Sequence, residues 1–111
     1  MKNYSQGDIV FVPFPFSDKL ESKKRPAVII SKNSINNPLF TIAKITSVIR
    51  NENYSFLIDN DSFTVNPLPK LCEVRTMEIF TIHKSEIIKK LTSFNPGPLK
   101  EILDKVKENF S

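Results

Sequence analysis

Hydrophobic and polar positions divide the chain into short strand-like segments followed by one helical segment. Short runs rich in β-branched and aromatic residues, bounded by Asn, Asp, Ser or Pro, are typical of β-strands. Such runs occur at Ile9–Val12, Pro26–Ser31, Leu39–Ile45, Tyr54–Ile58, Leu71–Arg75, Ile79–Ile82 and Lys89–Phe94. We expect a kink between the fifth run and the sixth, and a single helical turn at Lys84–Ile88 before the last run.

The chain ends on the pattern of an amphipathic helix. Apolar residues recur there at the spacing of one helical face, namely Leu99, Ile102, Leu103, Val106 and Phe110. Asn95 suits the N-cap, and Pro96 suits the first helical position because the N–H that proline lacks has no helical partner there. The pattern predicts a mainly β fold: a small curled sheet or barrel of about five to seven short strands, with the helix over one face or open end.

Length, charge and cysteine content narrow the class of protein. A length of 111 residues suits one domain, which we expect over residues 1–111. The net charge of +4 favours a polyanionic partner, which is a nucleic acid, an acidic protein or an anionic surface. Cys72 is the only cysteine, so an internal disulfide is impossible. Because no secretory-signal pattern and no bilayer-spanning apolar run is found, we expect a cytoplasmic protein without a membrane segment.

Few residue combinations could hold a metal ion or a cofactor. The chain has one His, one Cys and two Gly, so it lacks Cys-x-x-Cys, His-Glu-x-x-His and glycine-rich phosphate-loop motifs. We therefore expect no metal site and no cofactor. His83 is interpreted as an exposed residue after a strand.

Arginines and one pair of hydroxyl residues are the candidates for phosphate contacts. The planar guanidinium can donate two parallel charged hydrogen bonds to a phosphate. Arg25 and Arg75 stand at predicted strand ends, whereas Arg50 lies in a predicted turn and is better explained as a surface residue. Thr46 and Ser47 offer two hydroxyls at a strand end, where capping of a turn is the alternative use.

Aromatic residues cluster early in the chain. Phe11 falls within a predicted strand, so we expect it in the core. Phe14 and Phe16 are flanked by prolines and are candidates for exposed rings that stack on a nucleobase or on a partner side chain.

Four segments, taken in order, resemble the PemK/MazF family of toxin–antitoxin ribonucleases, and in particular its PemK-like branch. They are Gly7–Asp18, Lys23–Ser31, Ala43–Ser47 and Glu73–Ile82. The first reads Gly-Asp-Ile-Val-Phe-Val-Pro-Phe-Pro-Phe-Ser-Asp and the second reads Lys-Lys-Arg-Pro-Ala-Val-Ile-Ile-Ser. The third ends in a Thr-Ser pair, and the fourth contains Val-Arg and, further on, Thr-Ile. Their order and spacing resemble the family over nearly the whole chain, including the C-terminal helix.

This resemblance implies an SH3-like barrel that usually assembles as a homodimer. It also implies metal-independent cleavage of single-stranded RNA, often mRNA, at short sequences. The partners that it implies are a cognate antitoxin, which neutralises the toxin, and operator DNA bound together with that antitoxin.

The resemblance assigns roles to individual residues. Arg25, Thr46 and Arg75 match the catalytic positions of the family. We hypothesise that Arg25 binds the scissile phosphate near the leaving 5′ oxygen, and that Arg75 stabilises the charge that develops in the reaction. Thr46 and its neighbour would hydrogen-bond a phosphate oxygen, and the products would be a 2′,3′-cyclic phosphate and a 5′-hydroxyl end. The substrate-binding residues expected beside them are Ser47, Asp18, Phe16, Lys24 and Glu78.

The resemblance leaves the general base open. The first loop lacks the Gly-Ser-Glu-Gln or His that is frequent in the family, and Met77 stands where some members have Asp. The candidates in this chain are Asp18, Glu21 and Glu78. A weak base, catalysis by phosphate positioning alone, and a member without nuclease activity all agree with this departure.

Two other functions fit the same pattern. One is a non-catalytic small barrel that binds nucleic acid or an antitoxin peptide and represses its own operon. The other is an SH3-like interaction domain that holds a peptide with Phe14 and Phe16. Because small barrels host many functions, the fold alone does not choose among these hypotheses.

Overall fold

The computed structural model describes residues 3–14, 23–32, 37–58, 62–63, 68 and 71–110. Its strands are β1 (Asp8–Phe14), β2 (Lys23–Ile29), β3 (Leu39–Thr46), β4 (Ser55–Ile58), β5 (Cys72–His83) and β6 (Lys89–Ser93), and its helix is α1 (Pro96–Glu108). Neighbouring strands are antiparallel and follow the order β4-β5-β3-β2-β1-β6. The predicted mainly β fold is confirmed as a curled half-barrel with β4 and β6 at its edges, and the expected helical turn is a 3₁₀ turn at Lys84–Glu86.

Side chains alternate between two hydrophobic clusters on the two faces of the sheet. On β1, Ile9 belongs to one cluster and Val10 to the other, and Val28 and Ala27 of β2 divide in the same way. A strand imposes this alternation because successive side chains point to opposite faces. Ile102 of α1 is fully buried in the cluster that contains Ile9, so the helix covers that face.

The predicted helix is confirmed, with differences at both ends. Asn95 stands at the N-cap and Pro96 at the first turn, but the Asn95 side chain makes no capping hydrogen bond to the helix. The helix ends at Glu108, and Phe110 beyond it is 69% exposed, so its predicted place on the apolar face is wrong. Instead, Asn109 fixes this end of the chain by donating from Nδ2 to Oγ1 of Thr76, at 3.1 Å.

Strand β5 joins two strands that the sequence predicts as separate. Its pairing with β3 passes from Ile79, opposite Ala43, directly to Arg75, opposite Lys44. The residues between Arg75 and Ile79 are therefore extra on the β5 side, and they form a bulge in a continuous strand. The prediction of two strands is wrong, because the irregularity expected as a break is absorbed by this bulge.

Candidate active site

The sheet opens between β2 and β3 at one end. Backbone pairing of these two strands ends at Ala27 and Lys44. Beyond that pair, β2 stays paired with β1 as far as Lys23, and β3 stays paired with β5 as far as Thr46. Pro26 is the first β2 residue past the last pair, and proline has no N–H to donate to a ladder. Its position therefore favours separation of the two strands at this point.

A cleft of about 470 Å³ lies where the strands separate. Its apolar lining consists of Phe11, Pro26, Ile45, Leu68, Cys72 and Leu91. Its polar lining consists of Lys24, Arg25, Thr46, Ser47 and Lys89. The cationic residues are exposed, and no carboxylate is found in the lining among the described residues. Positive charge beside apolar surface suits a ligand that carries both anionic groups and flat rings.

Predicted site residues from two separate segments of the chain meet in the cleft. Lys24 and Arg25 come from β2, and Thr46 and Ser47 come from the end of β3. Their convergence follows from the separation of the strands, since each pair lies just beyond the last paired residues. Outside the described side chains lie Phe14, Phe16, Asp18 and Glu21. The roles expected for these four residues stay predictions.

The hydroxyl of Thr46 is oriented by the chain itself. Its Oγ1 accepts the backbone N–H of Val48 at 3.1 Å, which is the turn-capping use considered above. A hydroxyl that accepts one hydrogen bond keeps its own proton for donation. Thr46 can therefore cap the turn and donate to an oxygen of a ligand in the cleft at the same time.

Arg75 and Glu78 are absent from the cleft lining and belong to a cluster of charged residues beside it. This Arg75 cluster consists of Arg75, Glu52, Tyr54, Glu73 and Glu78. Arg75 is only 3% exposed, and its guanidinium donates to Glu73 at 2.8 Å, to Glu78 at 2.9 Å and to Glu52 at 3.1 Å. The ring of Tyr54 lies 5.3 Å from its Cζ, within the range of a cation–π contact.

Glu73 ties the segment after Thr46 to β5. Its Oε1 accepts the backbone N–H groups of Arg50 and Asn51, each at 3.2 Å, and its Oε2 accepts the Ser55 hydroxyl at 2.9 Å. Burial by itself raises the pKa of Glu73, but hydrogen bonds from Ser55, from backbone N–H groups and from the guanidinium outweigh it, so this pKa lies below its ordinary value. The carboxylate is thus held in its charged form, and its hydrogen bonds fix the segment from Arg50 to Ser55.

The surroundings of Arg75 differ from those expected for a phosphate ligand. Burial by itself lowers the pKa of Arg75, but the hydrogen bonds to Glu73 and Glu78 outweigh it, so this pKa is raised. The guanidinium already donates to three carboxylates and its side chain is only 4% exposed, so it offers a phosphate little accessible surface. Glu78 forms a second ion pair, since its other oxygen lies 3.7 Å from Nζ of Lys44. The roles expected for Arg75 and Glu78 in substrate contact stay predictions, and the geometry separates both residues from the cleft.

Phe11 and Lys89 line the cleft but are not among the site residues that the sequence predicts. Phe11 is half-buried in the cleft wall, so its expected place in the core is wrong. The alternation of side chains along β1 could have indicated this position. Val10 and Val12 are buried on one face of the sheet, so Phe11 between them lies on the other face. Lys89 carries no motif, and only the register of β6 on β1 brings it opposite Phe11.

The remaining candidates give no second site. His83 is exposed at the end of β5, as expected, and its Nδ1 accepts the N–H of Ser85 at 3.0 Å. Arg50 is exposed, in agreement with its interpretation as a surface residue. In the described ranges, no three His, Cys, Asp or Glu side chains are grouped as metal ligands would be. No helix in these ranges is long and apolar enough to cross a membrane.

Several solved structures have a similar fold. An endoribonuclease in complex with its cognate antitoxin, from a mycobacterial species, has a TM-score of 0.77 and 15% identity, with 96% of this chain and 93% of that chain covered. MazF from Deinococcus radiodurans has a TM-score of 0.76 and 16% identity, with 98% and 97% covered. The Mycobacterium tuberculosis toxin MazF-mt6 has a TM-score of 0.75 and 15% identity, with 93% and 95% covered. At such identities the likeness shows the fold.

The family is shown by the sequence. No curated protein matches the chain closely enough to count as a relative. The sequence model of the family described as PemK-like, MazF-like toxin of type II toxin-antitoxin system matches residues 5–110. This match includes both strand ends that form the cleft and extends to the end of the helix. The chain therefore belongs to the family of PemK-like, MazF-like toxins of type II toxin-antitoxin systems.

Proposed function

We propose that this chain is an endoribonuclease toxin that cleaves single-stranded RNA without a metal ion. The observation that carries the proposal is the cleft, where Lys24 and Arg25 of one strand end meet Thr46 and Ser47 of another beside an apolar lining. Membership of the toxin family supports it, and a similar mycobacterial protein is named an endoribonuclease.

RNA supplies its own nucleophile for this reaction. The 2′ oxygen attacks the adjacent phosphorus as its proton passes to a base, and the bond between phosphorus and the 5′ oxygen breaks. The 5′ oxygen takes up a proton, which leaves a 2′,3′-cyclic phosphate and a 5′-hydroxyl end. The protein must hold the phosphate, stabilise the added charge and assist the proton transfers.

The cleft residues suit the phosphate part of this task. The guanidinium of Arg25 binds two phosphate oxygens as a planar fork, and Lys24 adds a positive point charge beside it. The Thr46 hydroxyl, whose oxygen is already bonded to the Val48 N–H, donates to a phosphate oxygen together with Ser47. Preorganised donors of this kind need no rearrangement when charge develops.

The proton acceptor is one of the three carboxylates considered above. We favour Asp18 or Glu21, because Glu78 forms ion pairs with both Arg75 and Lys44 and is absent from the cleft lining. For Arg75 we propose a supporting role: by binding Glu73 and Glu52 it fixes the segment that follows Thr46.

The partners follow from charge and from family membership. We propose that a cognate antitoxin neutralises the toxin, and a similar mycobacterial protein has been solved in complex with its antitoxin. An acidic antitoxin segment suits the net charge of +4. We further propose a cytoplasmic homodimer of one domain per chain that binds operator DNA together with the antitoxin.

Incubation with a mixed-sequence single-stranded RNA in EDTA tests the proposed activity. We expect cleavage, with cyclic phosphate and 5′-hydroxyl ends identified by mass spectrometry. The matched control is the same sequence with 2′-O-methyl groups, which lacks the nucleophile and stays intact. Persistence of the unmodified RNA with folded protein would falsify the proposal.

A binding module without catalysis is the second candidate. It is favoured by one observation, which is that the cleft lining has no carboxylate among the described residues to act as a base. Such a module would bind RNA in the same cleft and leave it uncut. The EDTA experiment separates the two functions when RNA binding is measured beside cleavage.

A further inference from the structure

Lys89 of β6 lies in the cleft, although no sequence motif marks it. On β1, Phe11 lies directly opposite Pro26 of β2 and directly opposite Lys89 of β6. Residues directly opposite each other in antiparallel strands share a face, so these three residues form a row across three neighbouring strands. All three line the cleft. Since adjacent strands lie about 4.8 Å apart, the Lys89 backbone is about 10 Å from that of Pro26.

The neighbouring residue, Lys90, lies on the opposite face of the same strand. Lys90 is opposite Val10, so it belongs to the other face, and its Nζ lies 3.4 Å from Oδ1 of Asp8. Lys89 is exposed, lines the cleft and forms no ion pair within the described part of the chain. The two lysines therefore share a strand and a charge but differ in the face that they occupy.

We propose that Lys89 is a phosphate-binding residue of the RNA cleft, which carries the RNA backbone from the Arg25 side across Phe11 to β6. This proposal rests on the proposed function. This backbone separation of about 10 Å is about three times the axial rise of about 3.4 Å per nucleotide in a stacked strand, which allows the two sides of the cleft to contact different phosphates.

The apolar residues between the two cationic sides favour RNA over another polyanion. The half-buried ring of Phe11 lies in the middle of the row, with Leu91 also in the lining. A nucleobase can stack on such a ring while the flanking phosphates reach the cations. An acidic peptide would use the same charges but has no flat ring at each residue to cover Phe11.

The test uses the salt dependence of binding. A 2′-O-methyl single-stranded oligonucleotide, which cannot be cleaved, is titrated with wild type, Lys89→Gln and Lys90→Gln at several KCl concentrations. Each phosphate contact contributes a slope of about −0.7 to log K against log[salt] for single strands. Lys89→Gln should reduce the magnitude of the slope by about 0.7 and weaken binding similarly for all sequences. Lys90→Gln should keep the wild-type slope.

The outcomes separate this inference from the proposed function. An unchanged slope for Lys89→Gln, or an equal reduction for Lys90→Gln, overturns the phosphate contact while wild-type cleavage of unmodified RNA still supports the activity. If Lys89→Gln weakens only the binding of an acidic antitoxin peptide, the residue belongs to a protein interface and the RNA assignment is wrong. Absence of RNA binding and cleavage by wild type contradicts the proposed function itself. Thermal unfolding of both variants checks that each is folded.

Discussion

Arg25 and Arg75 are both arginines at strand positions that sequence motifs mark for phosphate chemistry, yet their surroundings are opposite. Arg25 is exposed, lines an open cleft and has no ion pair among the described residues. Arg75 is 3% exposed and is bound by three carboxylates. A free guanidinium can bind a ligand, whereas a neutralised and buried one stabilises the structure around it.

The two regions also differ in what their residues do for the fold. The cleft lies where Pro26 ends the ladder between β2 and β3, so the residues beyond it no longer pair across these two strands, although each strand stays paired with its other neighbour. The Arg75 cluster exists because Glu73 collects hydrogen bonds from β5 and from the segment after β3. Substitutions in the cleft should therefore change activity, and substitutions in the cluster should change stability.

The largest expected effect on stability is that of Arg75→Met. It leaves the carboxylate of Glu73, which is 1% exposed, without its charged partner, and removing one member of a buried ion pair costs about 3–5 kcal/mol. Urea unfolding measures the loss. Arg50→Met is the matched control, because exposed Arg50 is expected to change stability by less than about 0.5 kcal/mol. A similar, small change in both variants would contradict the role of the cluster.

A smaller effect is expected in the cleft for Thr46→Val, which keeps the side-chain shape and removes the hydroxyl. A hydrogen bond to a charged group is worth about 1.5–3 kcal/mol, so RNA cleavage should slow by about 10- to 100-fold. Thr46→Ser keeps the hydroxyl and should retain most of the activity. Initial cleavage rates at saturating RNA measure both variants. Equal activity of Thr46→Val and wild type would remove this hydroxyl from the mechanism.

The smallest effect concerns pH and the carboxylate of Glu73. Its pKa in the folded chain lies below the ordinary value of 4.5, so the charged form contributes stability above pH 4.5, and this stability is lost as pH falls through the folded pKa. Ser55→Ala removes one of the hydrogen bonds that lower this pKa. Urea unfolding between pH 6 and pH 3 should therefore show a weaker pH dependence for Ser55→Ala than for wild type. An identical dependence would mean that this hydrogen bond does not tune the carboxylate.

The sequence predicts those site residues that local features of the chain identify. Arg25 before Pro26 and Thr46 at a strand end are local features, and their convergence needs only the separation of two neighbouring strands. The place of Lys89 depends on the register between β1 and β6, which lie far apart in the chain. Register is a property of paired strands, and no local pattern at Lys89 encodes it.

The fold also divides into features that local sequence predicts and features that depend on pairing between distant segments. Periodicity predicts the mainly β class and the helix, because both follow from local alternation of polar and apolar residues. The continuity of β5 across its bulge is missed, since pairing with β3 on both sides of the bulge holds that strand together. The burial of Arg75 is missed for a related reason: its partner Glu52 comes from a different segment of the chain.

Cleavage by Arg25→Ala in EDTA, measured beside its urea unfolding, tests the account most directly. Arg25 is exposed and lines the cleft, so its loss should slow cleavage by about 10²- to 10³-fold, as removal of a preorganised charge-stabilising donor does. The unfolding midpoint should stay close to that of wild type, and Arg50→Ala, an equal change of charge outside the cleft, should cleave at the wild-type rate. A folded Arg25→Ala protein that cuts RNA as fast as wild type would contradict the assignment of the cleft as the active site.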